Sequence, residues 1–312
     1  MKKLVLMLVF VLLISGCGTP SEVSPPVSEP PIPPAASKPL PEPESAPEPE
    51  PEPEPLPPPL PDNSWKVDAP ENHGMDRSVL EELHKALAEQ KILSCVTAKD
   101  GVIIDEYYAD GLDKNSVFRL YSCSKSFTGA LVGAAIEDGF IESIDDTVYK
   151  YLPHRPEFEN KLKQKITLRH LLTHTSGLEW YEWGIYQSSH TAFMTAENKL
   201  DFILGQRMLA EPGYIFSYST GGSHLLGAAL ESAIGMSALD YGYQKLFGPL
   251  GMDSVAWMTD RQGVIDGGNG IAMTARDAAR FGQLILQKGR WLSTLRAAAA
   301  RRVDSRIDLG AK

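Results

Sequence analysis

The chain has 312 residues, three cysteines and a formal net charge of −10 at pH 7. No basic stripe interleaved with aromatic residues marks a nucleic-acid binding surface. Three cysteines are too few for a disulfide framework, and no set of Cys and His residues has the spacing of metal ligands. The composition therefore excludes a nucleic-acid binding module and a disulfide-rich scaffold, and it implies no metal or organic cofactor.

Residues 1–17 have the pattern of a secretory signal peptide. Their sequence, MKKLVLMLVFVLLISGC, places two lysines before an apolar run of about a dozen residues and then small residues. The apolar run is too short for a transmembrane helix. The ISGC segment resembles a bacterial lipobox, in which the signal is removed just before the cysteine and Cys17 is lipidated. The alternative is an uncleaved signal in which Cys17 is an ordinary residue.

Residues 18–62 consist almost wholly of Pro, Glu, Ser and Ala, and nineteen of the 24 prolines lie before residue 63. Such a segment cannot form a β-ladder or bury a core, so we expect a disordered, extended tether. At about 3 Å per residue it reaches on the order of 100 Å. We therefore expect residues 63–312 to form an extracytoplasmic domain, held to the bacterial cell membrane through Cys17.

The domain is predicted to begin with a helix over MDRSVLEELHKALAEQ. Its apolar residues Val79, Leu83, Ala86 and Leu87 recur at helical spacing and predict the buried face. The next segment, SCVTAKDGVIIDEYY, predicts two strands joined by a tight Lys-Asp-Gly turn.

Further helices are predicted beyond this hairpin. The segment SFTGALVGAAIEDG predicts a helix that Gly139 ends, and a long region of helices and loops follows it. The last clear helix lies in TARDAARFGQLILQKG, with Thr274 as N-cap, Asp277 at its third position and Gly289 as the stop.

A Ser-x-x-Lys pair, Ser122 and Lys125, precedes the helix that Gly139 ends. At a helix start, Ser122 lies near free backbone N–H groups and the positive end of the helix dipole, and Lys125 lies one turn later on the same face. A desolvated lysine loses affinity for its proton and can deprotonate a serine. The alternative is that Ser122 or Ser124 is only an N-cap and Lys125 a surface residue.

A Tyr-Ser-Thr triplet, Tyr218 to Thr220, precedes another apolar helix in EPGYIFSYSTGGSHLLGAALE. A tyrosine there can hold or relay a proton if nearby cations such as Lys125 favour its phenolate. The alternative is that Tyr218 is an aromatic core residue.

Five segments in this order resemble those of the class C β-lactamase and penicillin-binding-protein-like serine hydrolases. They are FRLYSCSKSFTGALVGAAIEDG, ITLRHLLTHTSGL, EPGYIFSYSTGGSHLLGAALE, LFGPLGMDS and GNGIAMTARDAARFGQLILQKG. The resemblance runs from about Trp65 to Gly289. It implies a β-lactamase/DD-peptidase-like α/β fold, in which an antiparallel sheet flanked by helices joins a mostly helical lobe and the active site lies between them.

The resemblance also implies roles for individual residues. Ser122 is the acylated nucleophile, Lys125 the base that activates it and Tyr218 a proton relay. The backbone N–H of Ser122 supplies half of the oxyanion hole. The expected reaction is acyl transfer through an acyl-serine intermediate on a β-lactam, an ester or a D-amino-acid peptide.

Two departures from the family pattern qualify these expectations. Thr220 stands where the family often has Asn, so as a substrate-binding residue it offers a hydroxyl in place of an amide. No Lys-Thr-Gly or His-x-Gly segment follows Tyr218, and the Ala- and Arg-rich end of the chain is typical of a frameshifted or prematurely stopped reading frame. A natural divergent terminus is the alternative. We therefore expect the C-terminal strands to be missing and the sheet to consist of little more than the hairpin near residues 94–108.

Other conspicuous residues have structural interpretations. His174 is expected to be a hydrogen-bonded structural group, although it is a conceivable base. Trp180, Tyr181 and Trp183 either line the mouth of the groove or pack the helical lobe. Cys123 is expected to be a small buried residue without a redox role.

Three functions remain open at this point. The first is a lipid-anchored, monomeric serine hydrolase acting on a small-molecule or peptidoglycan-derived substrate. The second is a penicillin-binding sensor that is acylated without turnover, and the third is an inactive truncated remnant. Labelling of the serine separates the third from the others, and turnover separates the first from the second.

Overall fold

Helices and short strands alternate in this computed structural model, which describes residues 65–184 and 188–289. The predicted lipidation site Cys17, the tether and residues 290–312 lie outside the described residues. In chain order the elements are α1 (Arg77–Glu89), β1 (Ser94–Lys99), β2 (Val102–Tyr108), β3 (Val117–Arg119), α2 (Ser124–Glu137), α3 (Val148–Tyr151), α4 (Leu168–Leu172), α5 (Ser189–Thr195), α6 (Lys199–Gly205), α7 (Thr220–Ile234), α8 (Ala238–Gly242), α9 (Gly248–Leu250), β4 (Ala256–Trp257), β5 (Ile271–Thr274) and α10 (Ala275–Leu286).

The predicted hairpin is present as β1 and β2, which pair antiparallel. Its turn residues Asp100 and Gly101 have φ of 53° and 76°. Two successive residues in the left-handed region are what a two-residue hairpin turn requires, which explains the Asp-Gly pair. The chain before α1 also pairs with β2, because the N–H of Ile103 donates to the carbonyl of Lys66 at 2.9 Å.

Helix α1 is where predicted, but part of its predicted buried face is wrong. Val79 is 56% exposed and Ala86 is also exposed, whereas Leu80 and Leu87 are buried. Val79 and Leu80 precede Leu83 by four and three residues, so both satisfy helical spacing. Leu83 and Leu87 pack in one cluster with Cys95 and Tyr107 of the hairpin. The tertiary packing of α1 buries Leu80 and leaves Val79 exposed.

A second antiparallel sheet corrects the expectation that the sheet consists of little more than the hairpin. Its strand order is β3-β5-β4, with β5 in the centre. The strands have only two to four residues, too few for an alternating pattern to be recognised in the sequence. This sheet brings the end of β3, just before Ser122, next to the glycine-rich loop of residues 266–270 that leads into β5.

Helix α7 forms the centre of the helical part of the molecule. Most of its residues are buried, and α2, α3, α4 and α6 pack around it. Its second residue, Gly221, lies so close to Trp180 that a Cβ would be 2.4 Å from the indole ring. A glycine is therefore required there for Trp180 to pack against the first turn of α7.

The predicted caps of α2 and α10 are confirmed. Gly139 lies two residues after α2 with φ of 79°, as expected for a helix stop. The hydroxyl of Thr274 accepts a hydrogen bond from the N–H of Asp277 at 3.2 Å, and α10 ends three residues before Gly289. In the part of the chain that the structure describes, no helix has both the length and the apolar character needed to span a membrane.

Candidate active site

Ser122 lies in a single 3-10 turn, Tyr121–Cys123, between β3 and α2. The preceding residue Tyr121 has φ of 46°, an uncommon conformation for a residue other than glycine. Buried Ser124 holds the turn in place, since its Oγ donates to the carbonyl of Tyr121 at 2.6 Å and accepts from the N–H of Ile271 at 3.0 Å. The serine side chain is thus exposed on a turn that is fixed to the central strand β5.

Lys125 is the second residue of α2, three residues after Ser122, and contacts Ser122 directly. Its Nζ donates to Ser122 Oγ at 3.0 Å, to Thr220 Oγ1 at 3.1 Å and to the carbonyl of Gly268 at 2.9 Å. An ammonium has three N–H donors, so each has an acceptor. The structure therefore brings the Ser-x-x-Lys pair together with the Tyr-Ser-Thr triplet, as the resemblance to the family implies.

Asn269 is a site residue that the sequence analysis missed. Ser122 Oγ donates to its Oδ1 at 3.3 Å, and its Nδ2 lies 3.2 Å from His190 Nε2. Because an amide nitrogen can only donate, His190 Nε2 accepts this hydrogen bond. The only local signal for Asn269 is its place in the glycine-rich DGGNG segment, where the backbone can approach a neighbouring group closely.

Tyr218 lies beside Lys125 and is half-buried. Lys125 Nζ is 4.9 Å from the centroid of the Tyr218 ring, a cation–π distance. Trp183 stacks on Tyr218 with ring centroids 5.5 Å apart and an interplanar angle of 11°. The predicted proton relay is therefore next to the predicted base, and its ring contacts both the ammonium and an indole.

His174 has hydrogen bonds that agree with its predicted structural role. Its Nδ1 accepts from the N–H of Ser219 at 3.2 Å, and its ring lies 4.7 Å from that of Tyr218. Burial lowers the pKa of His174, and the nearby Lys125 ammonium lowers it further, although Glu182 acts in the opposite direction. The imidazole is therefore neutral at pH 7 and supports the chain just before α7.

Glu182 is the second site residue that the sequence analysis missed. Its Oε1 accepts from Thr220 Oγ1 at 2.5 Å, and its Oε2 accepts from the N–H of Thr220 at 2.9 Å and from Trp180 Nε1 at 2.6 Å. The side chain of Thr220 is fully buried between Lys125 and Glu182. The sequence gives one weak signal for Glu182, a carboxylate among the aromatic residues of LEWYEWG.

The three aromatic residues of LEWYEWG do not share one position, since the core and the mouth of the groove were the two predicted alternatives and both occur. Trp180 is buried and packs against Phe193 and Phe202 of the helical part. Trp183 is 78% exposed and stacks on Tyr218 at the site. Tyr181 is also exposed. One tryptophan therefore belongs to the core and the other to the mouth of the groove.

Cys123 and the acidic residues do not suggest other chemistry at this position. Cys123 is half-buried with a free thiol, and burial raises the pKa of that thiol. Across residues 65–184 and 188–289, no group of three or more His, Cys, Asp or Glu side chains is arranged to hold a metal ion. What the described residues assemble around Ser122 is a hydroxyl, an ammonium, a phenol, an amide and a carboxylate.

This geometry agrees with the family that the sequence motifs suggest. The family model described as Beta-lactamase matches residues 82–307. The chain belongs to the Beta-lactamase family. This match confirms the predicted family. Members of the family are in general serine hydrolases.

One curated relative is Penicillin-binding protein 4* of Bacillus subtilis (strain 168), 36% identical over 146 residues. That alignment covers 46% of this chain and 31% of the relative. Beta-lactamase-like protein 4 of Dictyostelium discoideum is 27% identical over 192 residues, which cover 55% of this chain and 34% of the relative. The chain thus spans about one third of the length of these relatives.

Solved structures show the same fold. EstCE1, described as a hydrolase with promiscuous acyltransferase activity, superposes with a TM-score of 0.56 at 22% identity, over 72% of this chain and 77% of that one. A class C β-lactamase from Rhodobacter sphaeroides superposes with a TM-score of 0.51 at 23% identity, over 72% and 70%. The predicted β-lactamase/DD-peptidase-like fold is therefore confirmed.

Proposed function

We propose that this Beta-lactamase family member is a serine hydrolase that works by acyl transfer, with Ser122 as the nucleophile. One observation carries the proposal: Lys125 Nζ lies 3.0 Å from Ser122 Oγ on the first turn of α2. A hydroxyl within hydrogen-bond reach of an amine that is itself oriented by further contacts is the arrangement of an activated nucleophile.

The reaction proceeds in two steps. When Lys125 is in its amine form, it takes the proton of Ser122 while Oγ attacks the substrate carbonyl carbon. The tetrahedral intermediate then collapses, the bond to the leaving group breaks, and the leaving group receives a proton from Lys125. A water molecule hydrolyses the acyl-serine by the same steps in reverse order and regenerates the hydroxyl of Ser122.

Tyr218 is assigned the proton relay in this scheme. Its contact with the Lys125 ammonium supports a role in moving the proton between Lys125, the leaving group and the deacylating water. The backbone N–H of Ser122 is assigned half of the oxyanion hole.

The substrate is proposed to be a β-lactam, an ester or a D-amino-acid peptide. The similarity to a protein named as penicillin-binding supports a β-lactam or peptide carbonyl. The same similarity favours a second candidate, a penicillin-binding protein that is acylated without rapid turnover. The domain is further proposed to act outside the cell as a monomer, anchored through a lipid on Cys17.

A fluorescent fluorophosphonate tests the nucleophile. We expect the purified full chain to be labelled, and Ser122→Ala to lose the label completely while retaining the wild-type melting temperature. Equal labelling of the two proteins contradicts the assignment of Ser122, and a folded wild-type protein without any label contradicts the hydrolase. A fluorescent penicillin separates the two candidates, because rapid loss of the label indicates turnover and a lasting label indicates the sensor.

A further inference from the structure

We infer that Glu182 is a positioning residue for Lys125, acting through the hydroxyl of Thr220. The inference rests on the proposed function, in which Lys125 is the base for Ser122. It extends the pair of Ser122 and Lys125 to a chain of four side chains that ends in a carboxylate.

The direction of each hydrogen bond follows from the chemistry of its donor. A lysine ammonium can only donate, so Thr220 Oγ1 accepts from Lys125 Nζ at 3.1 Å. The single hydrogen of that hydroxyl is then left for Glu182 Oε1, at 2.5 Å. The other carboxylate oxygen accepts from two groups that can only donate, the N–H of Thr220 and the indole N–H of Trp180. The two oxygens of Glu182 thus accept three hydrogen bonds from the protein.

The position of this carboxylate is set by buried parts of the molecule. Thr220 is fully buried at the start of α7, and Trp180 is buried against α5 and α6. Both donors to Oε2 are therefore fixed, and the carboxylate is directed toward Lys125. An acidic residue that only made the surface soluble would not need three donors from the protein interior.

The arrangement has a specific effect on Lys125. Since the hydrogen of the Thr220 hydroxyl is committed to Glu182, a lone pair of that oxygen faces Nζ and keeps it next to Ser122. When Lys125 takes the proton of Ser122 it becomes an ammonium, and the negative charge of Glu182 stabilises that charge through the hydroxyl. This is the way in which a carboxylate supports the base of a Ser-His-Asp triad.

The structure also gives a reason for threonine at position 220. An amide side chain offers its own acceptor to a lysine and needs no further group to define its direction. A hydroxyl rotates, so it presents a lone pair reliably only when another acceptor holds its hydrogen. Thr220 and Glu182 therefore act as one unit.

Removal of the carboxylate has two effects that differ in direction. Without the negative charge, Lys125 loses its proton at lower pH, so the ascending limb of the pH–rate profile, which leads to the high-pH plateau, moves to lower pH. Without the oriented hydroxyl and the charge that stabilises the new ammonium, the limiting rate at high pH falls. A purely structural role for Glu182 lowers the rate but leaves the midpoint of the limb unchanged.

Other titratable groups face this pair. Cys123 precedes α2, His174 follows α4, Tyr218 precedes α7, and His190 of α5 contacts Asn269. Burial and the Lys125 ammonium lower the pKa of His174, so it stays neutral throughout a titration above pH 6.5. Comparing variants in one background keeps the contributions of these groups constant.

The test measures the rate constant of fluorophosphonate labelling between pH 6.5 and 10.5 for the full chain in detergent. We expect Glu182→Gln to lower the limiting rate at high pH about tenfold and to shift the midpoint down by about one pH unit. Thr220→Val should shift both quantities in the same directions, and Thr220→Ser, which keeps a hydroxyl, should restore the midpoint. Glu179→Gln is the matched control, because Glu179 is in the same segment and pairs with Arg207 on the surface. It should follow the wild-type profile.

Each remaining outcome contradicts either the inference on Glu182 or the proposed function. A Glu182→Gln profile identical to the wild type overturns this inference and leaves the proposed function intact, as does a lower rate with an unchanged midpoint. A wild-type protein without Ser122-dependent labelling overturns the proposed function itself, and the inference with it. Melting temperatures within about 3 °C of the wild type, equivalent to about 1 kcal/mol, show that the variants are folded.

Discussion

The acceptors around Lys125 come from three parts of the chain: the turn before α2, the first residue of α7 and the loop before β5. Ser122 Oγ, Thr220 Oγ1 and the carbonyl of Gly268 each take one N–H of the ammonium. The charged form of Lys125 is therefore held in position before a substrate arrives. The hydroxyl hydrogen of Ser122 is meanwhile donated to Asn269, so a proton must leave Lys125 before Ser122 is activated.

Another pair of residues, His224 and Asp260, lies buried away from the site. His224 Nε2 is 3.0 Å from Asp260 Oδ2, and both side chains are almost completely inaccessible. Burial raises the pKa of Asp260, but hydrogen bonds from His224 and from the N–H groups of Val264 and Gln262 outweigh this effect and lower it below its ordinary value. Such a carboxylate stabilises the fold above the pKa it has in the unfolded chain, and the contribution is lost as the pH falls through its lower folded pKa.

We therefore predict that Asp260→Asn lowers the free energy of unfolding at pH 7 by about 2–4 kcal/mol. The difference from wild type should begin to shrink as the pH falls below about 4, the ordinary pKa of an aspartate in an unfolded chain, and should be lost as the pH passes the lower folded pKa of Asp260. Urea unfolding at pH 7 and at pH 3 measures both values. A difference that is the same at the two pH values contradicts the assignment of the stabilisation to the carboxylate charge.

Only some of the site residues were predictable from sequence. The i, i+3 spacing of Ser122 and Lys125 predicts that the two residues lie close together, and the resemblance to the family places Tyr218 beside them. Glu182 and Asn269 are far from Ser122 in sequence and lie in loops without a periodic pattern. Their side chains reach the site only because Trp180 packs on α7 and because β5 pairs with β3, and neither contact is encoded locally.

At the scale of elements, the loop of residues 266–270, which leads into β5, packs against the start of α7. Gly268 lies so close to the start of α7 that a Cβ would be 2.7 Å from Thr220 Cγ2 and 2.8 Å from the carbonyl oxygen of Thr220. The same residue supplies the carbonyl that accepts from Lys125. A glycine is needed because a backbone carbonyl can approach the lysine only if this loop lies directly on the helix.

Gly268→Ala is predicted to lower the free energy of unfolding by about 1–3 kcal/mol, because the buried backbone must shift to make room. The shift moves the carbonyl of residue 268 away from Lys125, so Ser122 labelling should also become slower. Gly205→Ala provides the control, since a Cβ there has no atom within 4 Å. Thermal unfolding and labelling rates of both variants check the prediction, and equal behaviour of the two would contradict it.

The elements also differ in how well the sequence predicted them. The hairpin was predicted because its Asp-Gly turn is a strong local signal. Strands β4 and β5 were missed because they are short and their pairing joins distant segments. The buried face of α1 was partly wrong because two adjacent apolar residues, Val79 and Leu80, fit the same helical spacing, and only the tertiary packing of the helix distinguishes them.

At the scale of the whole molecule, α10 connects the hairpin to the helical part. Arg276 at its start donates to Glu106 of β2, and Phe281 stacks on Phe127 of α2 with ring centroids 4.0 Å apart. Burial raises the pKa of Glu106, but hydrogen bonds from Arg276 and Tyr108 lower it below its ordinary value. Helix α10 therefore contacts both the hairpin and α2, the helix that has the site at its start.

The proposed lipid anchor also acts at this scale. We predict that Cys17→Ser abolishes incorporation of radiolabelled palmitate and moves the protein from the membrane fraction to the soluble fraction, because lipidation needs the thiol. The variant should keep Ser122-dependent labelling, since Cys17 is far from the domain in sequence. Continued incorporation of palmitate in Cys17→Ser would contradict the lipidation site.

The stacking of Trp183 on Tyr218 places a fluorescent side chain at the site. The chain has five tryptophans, and of these Trp65, Trp180 and Trp257 are buried whereas Trp183 is 78% exposed. An external quencher such as acrylamide therefore reaches Trp183 far more readily than the three buried indoles. Because its ring lies against the tyrosine that contacts Lys125, we expect a molecule bound at Ser122 to shield Trp183 and to change its emission. The protein thus carries its own fluorescent reporter of occupancy, without any attached dye.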